Sequence, residues 1–199
     1  MDMKPYPCCR SAHAGIDGAL SLRKAILGER MLPLADAEQR ILDSVVSLEA
    51  ETYKIGYQQC AVSDGCLRPQ TPLDAKFSLP FTLAGALLLG QVDQSLFTPE
   101  KVADPAIQTM LGRIRVREAA DLTAAYPGHW SCRVKVQLKD GRVLEQFIQD
   151  PTGSYRKPFS EEVALQKAEG LLANVYPHQA VPVARKLLNL LEAEKLPEV

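Results

Sequence analysis

Apolar residues recur along the chain at two different spacings, and the change from one to the other marks out the elements. In residues 13–30, Ile16, Leu20, Leu22, Ile26 and Leu27 cluster on one side while Asp17, Arg23, Lys24 and Glu29 fall elsewhere, which predicts a helix. After the Pro33 break, Ala35 to Gln39 is expected to add one turn, and Ile41 to Leu48 is rich enough in Val, Ile and Leu for a strand. From Glu51 to Pro72 no period is sustained, and Gly56, Gly65, Pro69 and Pro72 punctuate what reads as a loop. Leu73 to Leu89 is apolar on nearly every side, as in a helix buried all round, with Pro80 delaying or kinking its start.

Thr98-Pro99-Glu100 and Asp104-Pro105-Ala106 each place a capping side chain before a proline, which predicts two short consecutive helices. Ile114 to Glu118 is a short strand candidate. Ser131 to Leu138 alternates Cys132, Val134, Val136 and Leu138 with Arg133, Lys135 and Gln137, the pattern of a half-buried strand. Asp140-Gly141 then signals a two-residue hairpin turn into Arg142 to Gln149. Ser160-Glu161-Glu162 caps a helix to about Asn174, and Val181 to Glu194 is a last amphipathic helix. The order of elements is α+β, with an antiparallel hairpin in a small sheet and helices at both ends. No internal repeat is present.

Composition narrows the function classes. The 199 residues are 46% hydrophobic and 24% charged, as in an ordinary globular protein. With 23 basic and 24 acidic side chains the net charge is -1, so no global field draws nucleic acid or an anionic membrane, and a small molecule or a protein is the expected partner. The longest apolar run, Leu83 to Leu89, is far short of the roughly 20 residues that span a bilayer. Five cysteines in no Cys-x-x-Cys arrangement read as reduced thiols in a cytoplasmic setting, with no metal site.

The densest reactive cluster is Lys4-Pro5-Tyr6-Pro7-Cys8-Cys9-Arg10-Ser11-Ala12-His13. Two prolines stiffen its first half. If His13 opens a helix, Lys4, Cys9 and Arg10 lie beside free backbone N–H groups that favour an anion such as a substrate carboxylate. Taken singly, each has a plainer role: a solvated lysine or arginine, small buried thiols, a core histidine. His129 and His178 are assigned to structure. No Ser/His/Asp set, phosphate-cradling loop or His-x-x-x-His pair occurs, so no cofactor is indicated.

Three segments resemble the MmgE/PrpD family, which includes 2-methylcitrate dehydratases, decarboxylases of cis-aconitate and epimerases of iminodisuccinate. They are Lys4 to Arg10 with His13 and Ile16-Asp17, then Ala75-Lys76-Phe77-Ser78-Leu79-Pro80-Phe81, and the hairpin Val134 to Leu144 followed by Gly153 and Lys157 to Glu162. The resemblance implies a large helical domain that is incomplete here, to which residues 1–32 and 160–199 belong, and an α+β lid domain over residues 33–159. It also implies cofactor-independent proton abstraction next to a carboxylate of a small polycarboxylate, in a homodimer. Under it Lys4, Cys9, His13 and Tyr53 are the catalytic candidates, and Arg10 and Lys4 bind substrate.

Two departures from the family qualify that expectation. The position five residues after the family's lysine is a histidine in the cis-aconitate decarboxylases and Cys9 here, and a thiol does not duplicate an imidazole half-protonated near pH 7. The chain is also less than half the family's length, so a missing helical domain or a separate chain is expected to complete the site. The alternative is a non-catalytic remnant that folds as a lid and binds a partner chain.

Overall fold

The computed structural model describes residues 2–28, 32–173 and 175–188. A short 3-10 turn, Arg10–Ala12, leads into helix α1 (His13–Leu27), and α2 (Leu34–Ser44) follows. The end of the expected first helix at Glu29-Arg30 lies outside the described residues. Helix α2 is longer than the single turn expected, and it absorbs Ile41 and Leu42, whose apolar side chains serve a helix face as well as a strand. Strand β1 therefore starts at Val45 and runs to Thr52.

The stretch expected to be a loop is instead largely helical. It holds α3 (Lys54–Cys60) and α4 (Asp64–Leu67), and α5 (Pro72–Lys76) begins at its last residue. These helices are too short for a period to show, and local caps mark the starts of α4 and α5: Ser63 Oγ accepts from the Cys66 N–H, and Thr71 and Asp74 form a reciprocal capping box. The predicted apolar helix splits in two, because Ser78 caps a new start and Pro80 sits in its first turn. The second piece, α6 (Leu79–Leu89), has ten of its eleven residues buried and forms the centre of the core.

Helices α7 (Pro99–Val102) and α8 (Pro105–Leu111) start at the two predicted Thr-Pro and Asp-Pro caps. Strand β2 (Ile114–Glu118) is followed by α9 (Ala120–Ala125), then by β3 (Cys132–Leu138) and β4 (Val143–Ile148). The sheet order is β2-β1-β3-β4. Strands β1 and β3 and strands β3 and β4 pair antiparallel, but β1 and β2 are parallel, so the sheet is mixed. The β3–β4 turn has three residues, Lys139-Asp140-Gly141, closed by bonds between Leu138 and Arg142 and between Gly141 and Leu138. Gly141 takes a positive φ of 86°, which suits the glycine position of a three-residue hairpin and not the two-residue turn expected.

Alternation on β3 places Cys132, Val134, Val136 and Leu138 on the inner face, where they pair with Thr52, Ala50, Leu48 and Val45 of β1. Helix α1 lies on this face and against α6. Its small residues permit the approach: a methyl group on Gly15 would stand 2.9 Å from Leu79, and one on Gly18 would stand 3.0 Å from Val134. On the outer face Glu51 sits between Arg117, at 2.5 Å, and Arg133.

Helix α10 (Glu161–Leu172) starts at the Ser160 cap, and α11 (Ala180–Leu188) packs on it. The expected extension to Glu194 lies outside the described residues. Among the described residues no helix is long and apolar enough to cross a membrane, and no group of His, Cys, Asp and Glu side chains could hold a metal ion.

Candidate active site

Around the prolines at 5 and 7 the N-terminal segment bends, without regular secondary structure, until the 3-10 turn. Backbone bonds fasten it at two places, Met3 N–H to the Gly153 carbonyl at 2.7 Å and Cys9 N–H to the Lys76 carbonyl at 2.9 Å. The segment thereby runs between the 150–157 loop and the end of α5, and its side chains divide between two environments.

The first is a buried polar knot. Arg10 Nη1 lies 2.9 Å from His13 Nδ1 and donates to the Thr152 carbonyl at 3.2 Å, while Nη2 donates to Asp2 at 3.2 Å. Because a guanidinium only donates, Nδ1 is the accepting nitrogen and the imidazole proton sits on Nε2. That Nε2 and Arg10 Nε are buried with no hydrogen-bond partner among the described residues. Burial, and then the charge of Arg10, push the His13 pKa down to about 3, so the ring is neutral. Alongside it the Tyr6 hydroxyl donates to Asp17 Oδ1 at 2.6 Å, and the Thr152 N–H donates to Oδ2 at 2.7 Å.

The second environment is a cavity of about 420 Å³ between this segment, α3 and α5. Lys4, Lys76 and Arg10 line it together with Cys9, Ser11, Gln59 and Trp130, and no carboxylate lies among its lining residues. Cys9 is half-buried while the other four thiols are buried. The neighbouring Cys60 thiol first, with Ser11 and the charge of Lys4, outweighs burial and lowers the Cys9 pKa to about 6. Cys60 moves the opposite way, so Cys9 is the member of the pair that ionises.

The structure thus brings Lys4, Cys9 and Arg10 to one cavity. His13 and Tyr53 are not on its wall. His13 is fully buried in the knot, and Tyr53 stands behind the wall, donating from its hydroxyl to Ser11 Oγ at 2.9 Å with its ring stacked on Tyr126 at 4.5 Å. Lys76, Ser11 and Gln59 were not singled out as site residues from sequence. Lys76 stands in one of the three segments that carry the family resemblance, whereas nothing local marks Gln59, which comes from the stretch expected to be a loop.

The family model of the MmgE/PrpD C-terminal domain matches residues 6–192. The chain belongs to the MmgE/PrpD family. Among curated proteins it is similar to the cis-aconitate decarboxylases of Mus musculus and Homo sapiens, each 22% identical. The alignments cover 94% and 95% of this chain and 36% of each relative. This MmgE/PrpD domain therefore spans about a third of the length of those relatives.

Proposed function

We propose that the chain is the C-terminal part of a cofactor-independent MmgE/PrpD lyase or isomerase that removes a proton next to a carboxylate of a small polycarboxylate. The observation that carries this reading is a cavity with three basic side chains, no carboxylate and one thiol poised to ionise below neutral pH. Lys4 and Lys76 are suited to neutralise substrate carboxylates, and a carboxylate so held supports the enolate-like charge that develops when the adjacent C–H bond breaks. Cys9, as a thiolate, receives that proton on sulfur, and its lowered pKa puts its titration in the range that suits a general base near neutrality. The electron pair of the broken bond is then available to expel a leaving group or to recapture a proton from the other face.

Dehydration of a 2-methylcitrate-like substrate and epimerisation both begin with this step. Decarboxylation, the activity in the names of the two relatives, would use the same cationic cavity, so the cavity by itself does not choose among the reactions. The remaining groups are proposed to come from a helical unit outside this chain. Helix α10 supports that part of the reading, because none of its twelve residues is buried and Val163 and Leu171 are 43% and 48% exposed. The same open face supports a second reading, a folded lid that binds a partner chain without catalysis.

Deuterium exchange at carbons next to carboxylates separates the two. Citrate-like and succinate-like acids are incubated in heavy water with the chain, alone and supplied with an N-terminal domain of a MmgE/PrpD protein, and followed by proton NMR. Exchange should appear with the complete protein and fall by about 100-fold or more in Lys4→Ala and Cys9→Ala. Exchange indifferent to both substitutions, or none with any acid in the complete protein, would sink the catalytic reading.

A further inference from the structure

Strand β2 is one edge of the sheet, and its free side carries backbone groups left unpaired. In a parallel ladder alternate residues of a strand turn both N–H and C=O to the neighbouring strand, and the residues between them turn both away. The Leu48 N–H donates to the Arg113 carbonyl at 3.0 Å and the Ala119 N–H to the Thr52 carbonyl at 2.9 Å. The odd-numbered residues of β2 therefore face β1, and Ile114, Val116 and Glu118 face outward. Arg115 Nη1 covers the Ile114 carbonyl at 2.9 Å, while the N–H and C=O of Val116 have no partner among the described residues.

Beside this edge lies a groove of about 590 Å³ that β2 shares with α3, α4 and α8. Its wall includes three successive residues of β2, Ile114, Arg115 and Val116. One face of a strand cannot offer three neighbours in a row, because their side chains alternate, so the groove runs along the backbone edge. Buried Leu111 and Ile114 give it an apolar base, and Val62 and Leu67 stand on it 50% and 44% exposed. Arg68 and Arg115 also line it and no carboxylate does, so neither cation is neutralised from the wall.

We propose that this groove takes an extended, acidic peptide segment of a partner protein. The segment adds to β2 as a further strand beside Val116, sets an apolar side chain against Leu111 and Ile114, and places a carboxylate at Arg68 and Arg115. Main-chain bonds to an open edge supply affinity in such an addition, and a pocket for alternate side chains with opposite charge at its rim supplies selectivity. A second copy of this chain is the poorer occupant. An antiparallel β2–β2 pair centred on Val116 would set Arg115 of one copy directly opposite Arg117 of the other, and like charges so placed repel. The groove shares no lining residue with the Lys4–Cys9 cavity, so the inference is independent of the catalytic reading.

The probe is the peptide acetyl-(Glu-Val)3-amide, whose period of two matches a strand, with acetyl-(Lys-Val)3-amide as control. Each is titrated into the full chain while amide hydrogen exchange is followed residue by residue by NMR. The acidic peptide should bind at least about tenfold more tightly than the basic one and slow exchange of the Val116 amide by about tenfold or more. Glutarate, a free dicarboxylate without a peptide backbone, should leave that exchange unchanged. Val116→Pro deletes the outward N–H and keeps the bonds to β1, since proline is tolerated on an edge strand, and should weaken binding by about tenfold. Arg68→Glu, at an exposed position, should weaken it by about as much without touching the strand, and it carries the test if the proline variant does not fold.

Equal binding of the two peptides, Val116 exchange unaltered by the acidic one, or affinity indifferent to Arg68→Glu would overturn the proposal. Protection of Val116 by glutarate alone would replace it with a site for small anions. Sedimentation showing β2 already covered by a second copy, with Val116 protected before any peptide is added, would overturn it as well.

Discussion

The ten residues from Lys4 to His13 serve two regions with opposite physical character. On one side Tyr6, Arg10 and His13 join Asp17 and the 150–157 loop in a knot of buried and half-buried polar groups held by direct hydrogen bonds, with Arg10 Nε and His13 Nε2 left over. On the other, Lys4, Cys9 and Ser11 face an open cavity where donors and cations have no acidic partner on the wall. Burying charge is tolerable only with satisfied bonds, and leaving cations unpaired is tolerable only in contact with water or ligand. The knot should therefore matter for stability and the cavity for chemistry.

The sharpest way to break this contrast is Asp17→Ala. Removing the carboxylate strands the buried Tyr6 hydroxyl and the Thr152 N–H together, and it takes away the anion that Lys157 approaches at 3.9 Å. A loss of about 3 kcal/mol is expected in urea unfolding followed by circular dichroism. A loss below about 1 kcal/mol would mean that the knot is not a stabilising element.

Gly153→Ala attacks the same region through the backbone. Gly153 has a φ of 81°, and an added methyl group would sit 2.1 Å from the Met3 carbonyl oxygen. The docked N-terminal segment has to move, at a cost of about 2 kcal/mol and with faster proteolysis before Tyr6. Unchanged stability together with unchanged proteolysis would show that this docking does not hold in solution.

Acid should loosen the knot before it reaches the carboxylates. The folded His13 remains neutral down to about pH 3, whereas an unfolded imidazole takes up a proton below about pH 6.5. Between those limits the unfolded state binds more protons, so stability rises with pH. The contribution is complete above about pH 6.5 and is lost progressively as pH falls toward 3. Native protein should lose about 1.4 kcal/mol per pH unit more than His13→Gln across that window, as measured by denaturant midpoints. Parallel curves would mean that His13 is not buried neutral.

The sequence made some of these features legible and hid others, for physical reasons. The alternation of Cys132, Val134, Val136 and Leu138 is a local pattern and identified β3, as the Thr-Pro and Asp-Pro caps identified the starts of α7 and α8. The parallel pairing of β1 with β2 joins residues more than sixty positions apart, and no local signal carries it. Lys4, Cys9 and Arg10 stood out because several reactive side chains crowd one stretch. Lys76 and Gln59 reach the same cavity only through the fold, and the burial of His13 and Tyr53 depends on what packs over them. Residue type suggested chemistry for both, while accessibility, which decides whether a side chain can touch a substrate, is a tertiary property.

The smallest effect on stability is expected on the cavity side, where Cys9→Ser tests the comparison from its other end. The side chain is half-buried, the substitution removes no methylene, and serine keeps a small polar group within reach of Gln59. Its cost to unfolding should stay within about 0.5 kcal/mol, the range of substitutions that create neither a cavity nor a stranded polar group. Proton abstraction should nevertheless collapse, because a hydroxyl ionises far above neutral pH and holds its proton where a thiolate would accept one. A stability loss as large as that of Asp17→Ala would erase the distinction, since the cavity wall would then be as much a structural device as the knot behind it.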